Sequence, residues 1–125
     1  MSATQLEAGN RQVYLVERDV FHLAKRFLQR QERAVQRLQV ALRAGDFAKV
    51  CSMGHDLKGS GGAYGMDKLS ALGRDLEAAA GEKDVPLIAA LLEGLENELS
   101  RVELRAVTES QEGETQSSAP LRRGT

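Results

Sequence analysis

One histidine in the middle of the chain has neighbours that leave it open and place a cation beside it. The stretch reads Gly54-His55-Asp56-Leu57-Lys58-Gly59-Ser60-Gly61-Gly62-Ala63-Tyr64-Gly65. Glycine inside a helix costs about 0.5–1 kcal/mol relative to alanine, so a sequence that only needed a stable helix would not contain so many. A neutral imidazole is a nucleophile, and lysine offsets the charge of a multiply charged anion. These residue types together predict a phosphoryl acceptor.

Helical spacing predicts which of these residues share one side of a helix. At about 100° per residue, the flank of the apolar stripe carries Cys51, His55, Lys58, Gly59 and Gly62. Helical side chains lean toward the N-terminus, so the position that would cover the ring of His55 is Gly59, which has no side chain. We therefore expect the imidazole to reach water, with Gly65 ending the helix.

The same residues allow other interpretations of this stretch. A P-loop requires a lysine directly after its second glycine and a preceding strand, but Ser60 follows Gly59 and the segment continues a helix. A dinucleotide fingerprint lacks its strand as well. Cys51 and His55 are one turn apart without an evident third metal ligand, so Cys51 is better explained as a small buried hydrophobe. A structural His55 among glycines that allow close helix packing remains an alternative, and His22 is expected to be inert surface.

Length and composition limit the function classes. The chain has 125 residues, 17 Lys plus Arg against 18 Asp plus Glu, and a net charge of −1, which fits one compact domain and not a multidomain enzyme. Nucleic acid is an unexpected partner, because aromatic residues make up only 4% and no basic field dominates. No apolar run is long enough for a membrane span. The single cysteine favours a reducing compartment, so we expect a cytoplasmic protein. We also expect it to be a monomer.

Apolar spacing predicts four helices and no strand. We expect the first between an N-cap at Asp19 and Gly45, the second between Asp46 and Gly65, and the third between Asp67 and Gly81. The fourth is expected to have Pro86 in its first turn and Val102 as the last residue of its apolar face. Short linkers make neighbours antiparallel, so the expected fold class is all-α, an up-down antiparallel four-helix bundle. The bundle is expected over residues 13–107, with residues 13–16 as a lid on one end. Residues 1–12 are expected to be a flexible lead and residues 108–125 a disordered tail.

Charge is divided unevenly along the chain. Residues 11–49 hold nine basic and four acidic side chains, whereas residues 50–107 hold six basic and ten acidic ones. Such charges usually form solvated helix faces, and partner docking on the basic part is the alternative interpretation.

The glycine-rich stretch resembles the signature of the histidine-containing phosphotransfer (HPt) domains of two-component phosphorelays. That signature is His-x-Leu-Lys-Gly-Ser, then small residues, an apolar residue and glycine, and here it begins at His55. The likeness covers roughly residues 13 to 105. Its further matches are Phe27-Leu28, Ala41-Leu42, Gly45-Asp46 and Leu76-Glu77. Gly54 replaces the family's common alanine, and Tyr64 is bulkier than its usual aliphatic residue.

The resemblance implies a phosphorelay intermediate and a role for each matched residue. His55 would take a phosphoryl group from a receiver-domain aspartyl phosphate and pass it to another receiver's aspartate. Lys58 would offset the phosphoryl charge, Gly59 would leave room for the receiver, and Glu77 matches the family position that often hydrogen-bonds the inner ring nitrogen. Such a domain is a phosphocarrier and not an ATP-dependent kinase. It needs no cofactor, because the Mg²⁺ belongs to the receiver.

The resemblance also names the expected partners and leaves alternatives. The partners would be response-regulator receiver domains and a hybrid histidine kinase. A non-catalytic helical adaptor that binds a receiver or kinase is the main alternative, and the intact His55, Lys58 and Gly59 argue against it. A dimerising kinase histidine domain would need a longer helical hairpin and an attached ATP domain.

Overall fold

The computed structural model describes residues 4–8 and 11–107 of the chain. In this part, four α-helices follow one another between short strands. The helices are α1 (Arg18–Arg43), α2 (Phe47–Ala63), α3 (Asp67–Gly81) and α4 (Val85–Arg101). The strands are β1 (Thr4–Ala8), β2 (Arg11–Glu17) and β3 (Val102–Val107). The tail predicted over residues 108–125 lies outside the described residues.

Aspartate side chains cap the N-termini of two helices, α2 and α4. The carboxylate of Asp46 accepts a hydrogen bond from the backbone N–H of Lys49 at 3.1 Å, and that of Asp84 accepts one from Leu87 at 3.2 Å. Each bond satisfies a backbone donor that the first helical turn leaves free. The predicted cap at Asp46 is therefore confirmed.

The ends of α1 and α2 follow from two glycines, and the start of α1 differs from the prediction. Gly45 and Gly65 have φ angles of 71° and 74°, a backbone conformation that glycine adopts without a steric penalty. The predicted N-cap at Asp19 is wrong, because α1 already begins at Arg18. Asp19 lies in the first turn, where its negative charge interacts favourably with the helix dipole.

The helices form the predicted four-helix bundle. α1 packs mainly against α2 and α4, and α3 packs against the same two helices from the other side. Each helix thereby buries its apolar stripe in a common core. The fully buried side chains of that core include Phe27, Val50, Leu69, Leu76, Ile88 and Leu95.

A three-stranded sheet, which the all-α expectation did not include, lies where α1 begins and α4 ends. β2 pairs with β1 in antiparallel and with β3 in parallel orientation. Residues 13–16, predicted to be a lid, belong to β2, and β1 falls within the predicted flexible lead. The apolar spacing predicted that Val102 belongs to α4, but Val102 begins β3.

Two physical reasons explain why the sequence pattern did not predict these strands. Val13, Tyr14 and Val16 are all buried, so β2 reads as a continuous apolar run without the alternation that marks a half-exposed strand. The second reason is distance along the chain, because Gln12 pairs with Val102. Only the closed bundle brings such remote segments together.

Glycines allow α2 and α3 to approach each other backbone to backbone. A β-carbon at Gly54 would lie 2.8 Å from the backbone nitrogen of Glu77 and 2.8 Å from the carbonyl oxygen of Gly73. A β-carbon at Gly61 would meet the backbone of α3 just as closely. Since real β-carbons are not found at such distances, these positions require glycine at the present helix spacing.

Gly54→Ala and Gly59→Ala are expected to change the free energy of unfolding in opposite directions, although both residues lie in α2. The Gly54→Ala side chain would overlap α3 and destabilise the fold by about 1–3 kcal/mol. Nothing lies within 4 Å of a β-carbon at Gly59, so Gly59→Ala should stabilise the fold by about 0.5–1 kcal/mol. Urea unfolding measures both values. Equal stability of the two variants would contradict the close contact of α2 with α3.

Candidate functional site

His55 lies in the middle of α2 on the side that faces solvent. Its side chain is 64% exposed, whereas Val50, Gly54, Leu57 and Gly61 form the buried face of the helix. Successive helical residues are turned by about 100°. Gly54 therefore lies in the interface with α3, whereas the next residue, His55, points away from it toward solvent. The imidazole is attached to a rigid, packed helix and is itself open to a partner.

A carboxylate from α3 holds the inner nitrogen of this ring. Nδ1 of His55 and Oε2 of Glu77 are 3.1 Å apart. A carboxylate accepts a hydrogen bond from an N–H group, so the contact favours the tautomer with hydrogen on Nδ1 and a free lone pair on Nε2. Glu77 reaches the ring because its own backbone nitrogen lies against Gly54, one residue before His55.

The second oxygen of Glu77 binds Lys58. Nζ of Lys58 and Oε1 of Glu77 are 3.1 Å apart, with side-chain exposures of 40% and 30%. The hydrogen bond from Lys58 is the main reason why the pKa of Glu77 lies below its usual range, partial loss of solvent opposes this shift, and the hydrogen bond to His55 adds to it. From the sequence we expect Lys58 to lie beside an incoming anion. The ion pair with Glu77 is not predicted by the sequence.

A groove between α1 and α2 leads to His55. Its volume is about 570 Å³, and its lining includes Arg30 and Arg37 from α1 as well as His55, Gly59 and Ser60 from α2. Nothing lies within 4 Å of the place that a β-carbon of Gly59 would take. The wall of the groove beside the imidazole is therefore bare backbone, over which a partner surface can approach the ring.

The structure places the predicted site residues in two groups. His55, Lys58 and Glu77 form one hydrogen-bonded cluster, and Gly59 lies beside it in the groove wall. Gly54, by contrast, serves the packing of α2 on α3. The glycines of this stretch therefore differ in their surroundings, since Gly54 packs against α3 and Gly59 leaves the backbone open.

Three features of the site were missed by the sequence reasoning. Gly73 is the partner of Gly54 in the helix contact, and a glycine inside an amphipathic helix is the same signal that drew attention to α2. The hydroxyl of Ser70 donates a hydrogen bond to the backbone oxygen of Lys58 at 2.8 Å, for which no local pattern exists. The position of Arg30 beside the groove depends on how α1 packs.

Cys51 is partly buried against the hydrophobic core. Within residues 11–107, no group of three or more His, Cys, Asp or Glu side chains is arranged to hold a metal ion. No helix in the described part of the chain combines the length and hydropathy needed to cross a membrane.

Lys58→Ala is expected to raise the pKa of Glu77 toward the ordinary glutamate value, because the hydrogen bond from Lys58 is the largest cause of its lowering. A carbon-13 NMR titration of the side-chain carboxyl groups measures this pKa. Lys49→Ala, another lysine of α2, should leave it unchanged. A Glu77 titration that is identical in the parent and in Lys58→Ala would contradict the ion pair.

The same lowered pKa predicts how Glu77 contributes to stability as pH changes. A carboxylate with a depressed folded-state pKa stabilises the fold above its unfolded-state pKa, and this contribution is lost as pH falls through the folded-state value. The stability gap between the parent and Glu77→Gln should therefore close on acidification below the ordinary glutamate range. Urea unfolding at a series of pH values measures the gap, and a gap that widens on acidification would contradict the sign.

Comparison with known proteins places this arrangement in a family. The family model for the Hpt domain matches residues 22–104, about two thirds of the 125 residues. Comparison with curated proteins found no match, and comparison with solved structures found none either. The matched residues include all of α2 and α3, and hence His55, Lys58 and Glu77. The chain therefore belongs to the Hpt domain family and has a histidine phosphotransfer role in phosphorelays.

Proposed function

We propose that this protein is a phosphorelay intermediate whose His55 accepts a phosphoryl group from one receiver domain and passes it to the aspartate of another. The observation that carries the proposal is the hydrogen bond between Nδ1 of His55 and Glu77. Because that bond occupies the inner nitrogen, the exposed Nε2 is left as the nucleophile. The donor on this hypothesis is an aspartyl phosphate and not ATP, so the protein acts as a phosphocarrier.

The accepting step exchanges one bond to phosphorus for another. The lone pair of Nε2 attacks phosphorus, the N–P bond forms, and the P–O bond to the receiver's aspartate breaks to leave a free carboxylate. Nδ1 keeps its hydrogen, so the ring becomes a phosphorylated imidazolium. The carboxylate of Glu77 offsets this positive charge through the hydrogen bond that it already accepts. Transfer to the second receiver reverses the step, with that receiver's aspartate as the nucleophile.

Lys58 and Gly59 support the proposal from the two sides of the ring. Lys58 is a flexible, partly exposed cation one turn from His55, so its Nζ can move from Glu77 to an oxygen of the bound phosphoryl group. Gly59 leaves space for the receiver's loops during in-line approach. The Mg²⁺ that neutralises the transferring group belongs to the receiver in this scheme, and no cofactor is assigned to this chain. The monomeric state, the cytoplasmic location and the hybrid-kinase partner stay predictions.

The first functional prediction is that His55 is the residue that takes the phosphoryl group. Incubation with phosphorylated receiver domains should give acid-labile, base-stable label on the parent protein and none on His55→Gln. His22→Gln is the matched control, since His22 is exposed on α1, and it should label at the parent rate. Label that persists in His55→Gln would overturn the proposal, and receiver binding without label on the parent would favour the adaptor.

The second prediction tests the open backbone at Gly59. Gly59→Gln should fold like the parent, because nothing lies within 4 Å of its β-carbon position, but it should slow phosphotransfer by about 100-fold by displacing the receiver from in-line geometry. Gly81→Gln is the control, since Gly81 is equally open and ends α3. Rapid-quench phosphotransfer assays measure the rates. Transfer by Gly59→Gln at the parent rate would show that the receiver does not approach over this residue.

A further inference from the structure

Four arginines of α1 form a continuous basic stripe. Arg26, Arg30, Arg33 and Arg37 are spaced by four, three and four residues, which places them within about 60° of arc and along roughly 16 Å of one helix. All four are exposed. We call them the arginine stripe.

The arginine stripe has no counterion in the part of the chain that the structure describes. The ion pairs of that part involve Lys58, Arg11, Arg74, Arg101, Arg105 and His55, and none of the four stripe residues. Like charges one turn apart on a helix repel each other. An anionic surface that faces the stripe would relieve this repulsion.

The arginine stripe borders the groove of His55. Arg30 and Arg37 line this groove from α1, opposite His55 and Gly59 of α2. The one carboxylate in the groove lining is that of Asp56, so positive charge prevails there. On the other side of the ring, Glu77 already neutralises Lys58. A partner that reaches His55 through the groove thus meets uncompensated positive charge on the α1 side.

We propose that the arginine stripe is the electrostatic docking surface for a receiver domain whose docking face carries carboxylates. This inference rests on the proposed function and adds to it a surface and a partner chemistry. Charge complementarity argues for this occupant, because the aspartyl phosphate that must reach His55 is itself an anion. Since the whole chain has a net charge of only −1, the stripe acts as a local field that orients and accelerates the encounter, and it does not hold the reacting atoms.

The test compares two charge-matched double variants of the full chain. Arg30→Gln/Arg37→Gln removes two charges from the groove, whereas Arg18→Gln/Lys25→Gln removes two exposed charges that α1 turns about 100–140° away. Second-order phosphotransfer from a phosphorylated receiver is measured from about 10 mM to 1 M salt, over which the Debye length falls from about 30 Å to 3 Å. Thermal unfolding establishes that both variants remain folded.

The groove variant is expected to transfer about 10-fold more slowly than the parent at low salt and to lose most of the salt dependence. The rate at saturating receiver should stay at the parent value, because neither arginine touches the reacting atoms, and the control variant should match the parent throughout. A Lys substitution at a docking-face carboxylate of the receiver should slow the parent more than it slows the groove variant.

Other outcomes would overturn the inference without touching the proposed function. Transfer to His55 with a salt dependence equal in parent and groove variant would show that the stripe does not face the receiver. Faster transfer by the groove variant would indicate that the chain's own Glu109, Glu112 and Glu114 occupy the stripe. Absence of label on His55 in the parent itself, in contrast, would be the failure of the proposed function.

Discussion

The backbone contact between α2 and α3 is the constraint on which the candidate site depends. Gly54 and Gly73 have no side chains to separate the helices, so the backbone nitrogen of Glu77 lies directly against α2. At this spacing the carboxylate of Glu77 reaches Nδ1 of His55, the residue that follows Gly54, at 3.1 Å. A wider helix separation would place the carboxylate out of reach of the ring.

The carboxylate of Glu77 contacts two different groups, a histidine ring and a lysine cation. Glu77 accepts a hydrogen bond from Nδ1 of His55 and at the same time pairs with the cation of Lys58. Because Lys58 keeps the pKa of Glu77 low, the acceptor remains ionised and the ring keeps a defined tautomer. On the proposed function, this ion pair keeps Lys58 beside the nucleophile, close to the place where the charge of the phosphoryl group would arrive.

The two sides of His55 have different physical character. Toward α3 the ring meets a closed hydrogen-bonded cluster that determines its chemistry. Toward α1 it meets an open groove with bare backbone at Gly59 and the guanidinium groups of Arg30 and Arg37. Bond making at the first side requires fixed geometry, whereas recognition at the second tolerates approach from solution. On the proposed function, this division would let one exposed histidine exchange a phosphoryl group with partners that bind and leave.

The sequence by itself determined the helices, their turns at Gly45 and Gly65, and the open histidine, because each depends on residues a few positions apart. The four-helix bundle followed from apolar spacing and short linkers, and Glu77 was identified only through the family resemblance. The tertiary structure decided which glycines pack against another helix and which remain open to solvent. Gly54 and Gly59 cannot be told apart in the sequence, because only the position of α3 distinguishes them. It also decided the strands: β2 and β3 flank the four helices in the sequence, and they can pair only when the bundle brings these remote segments together.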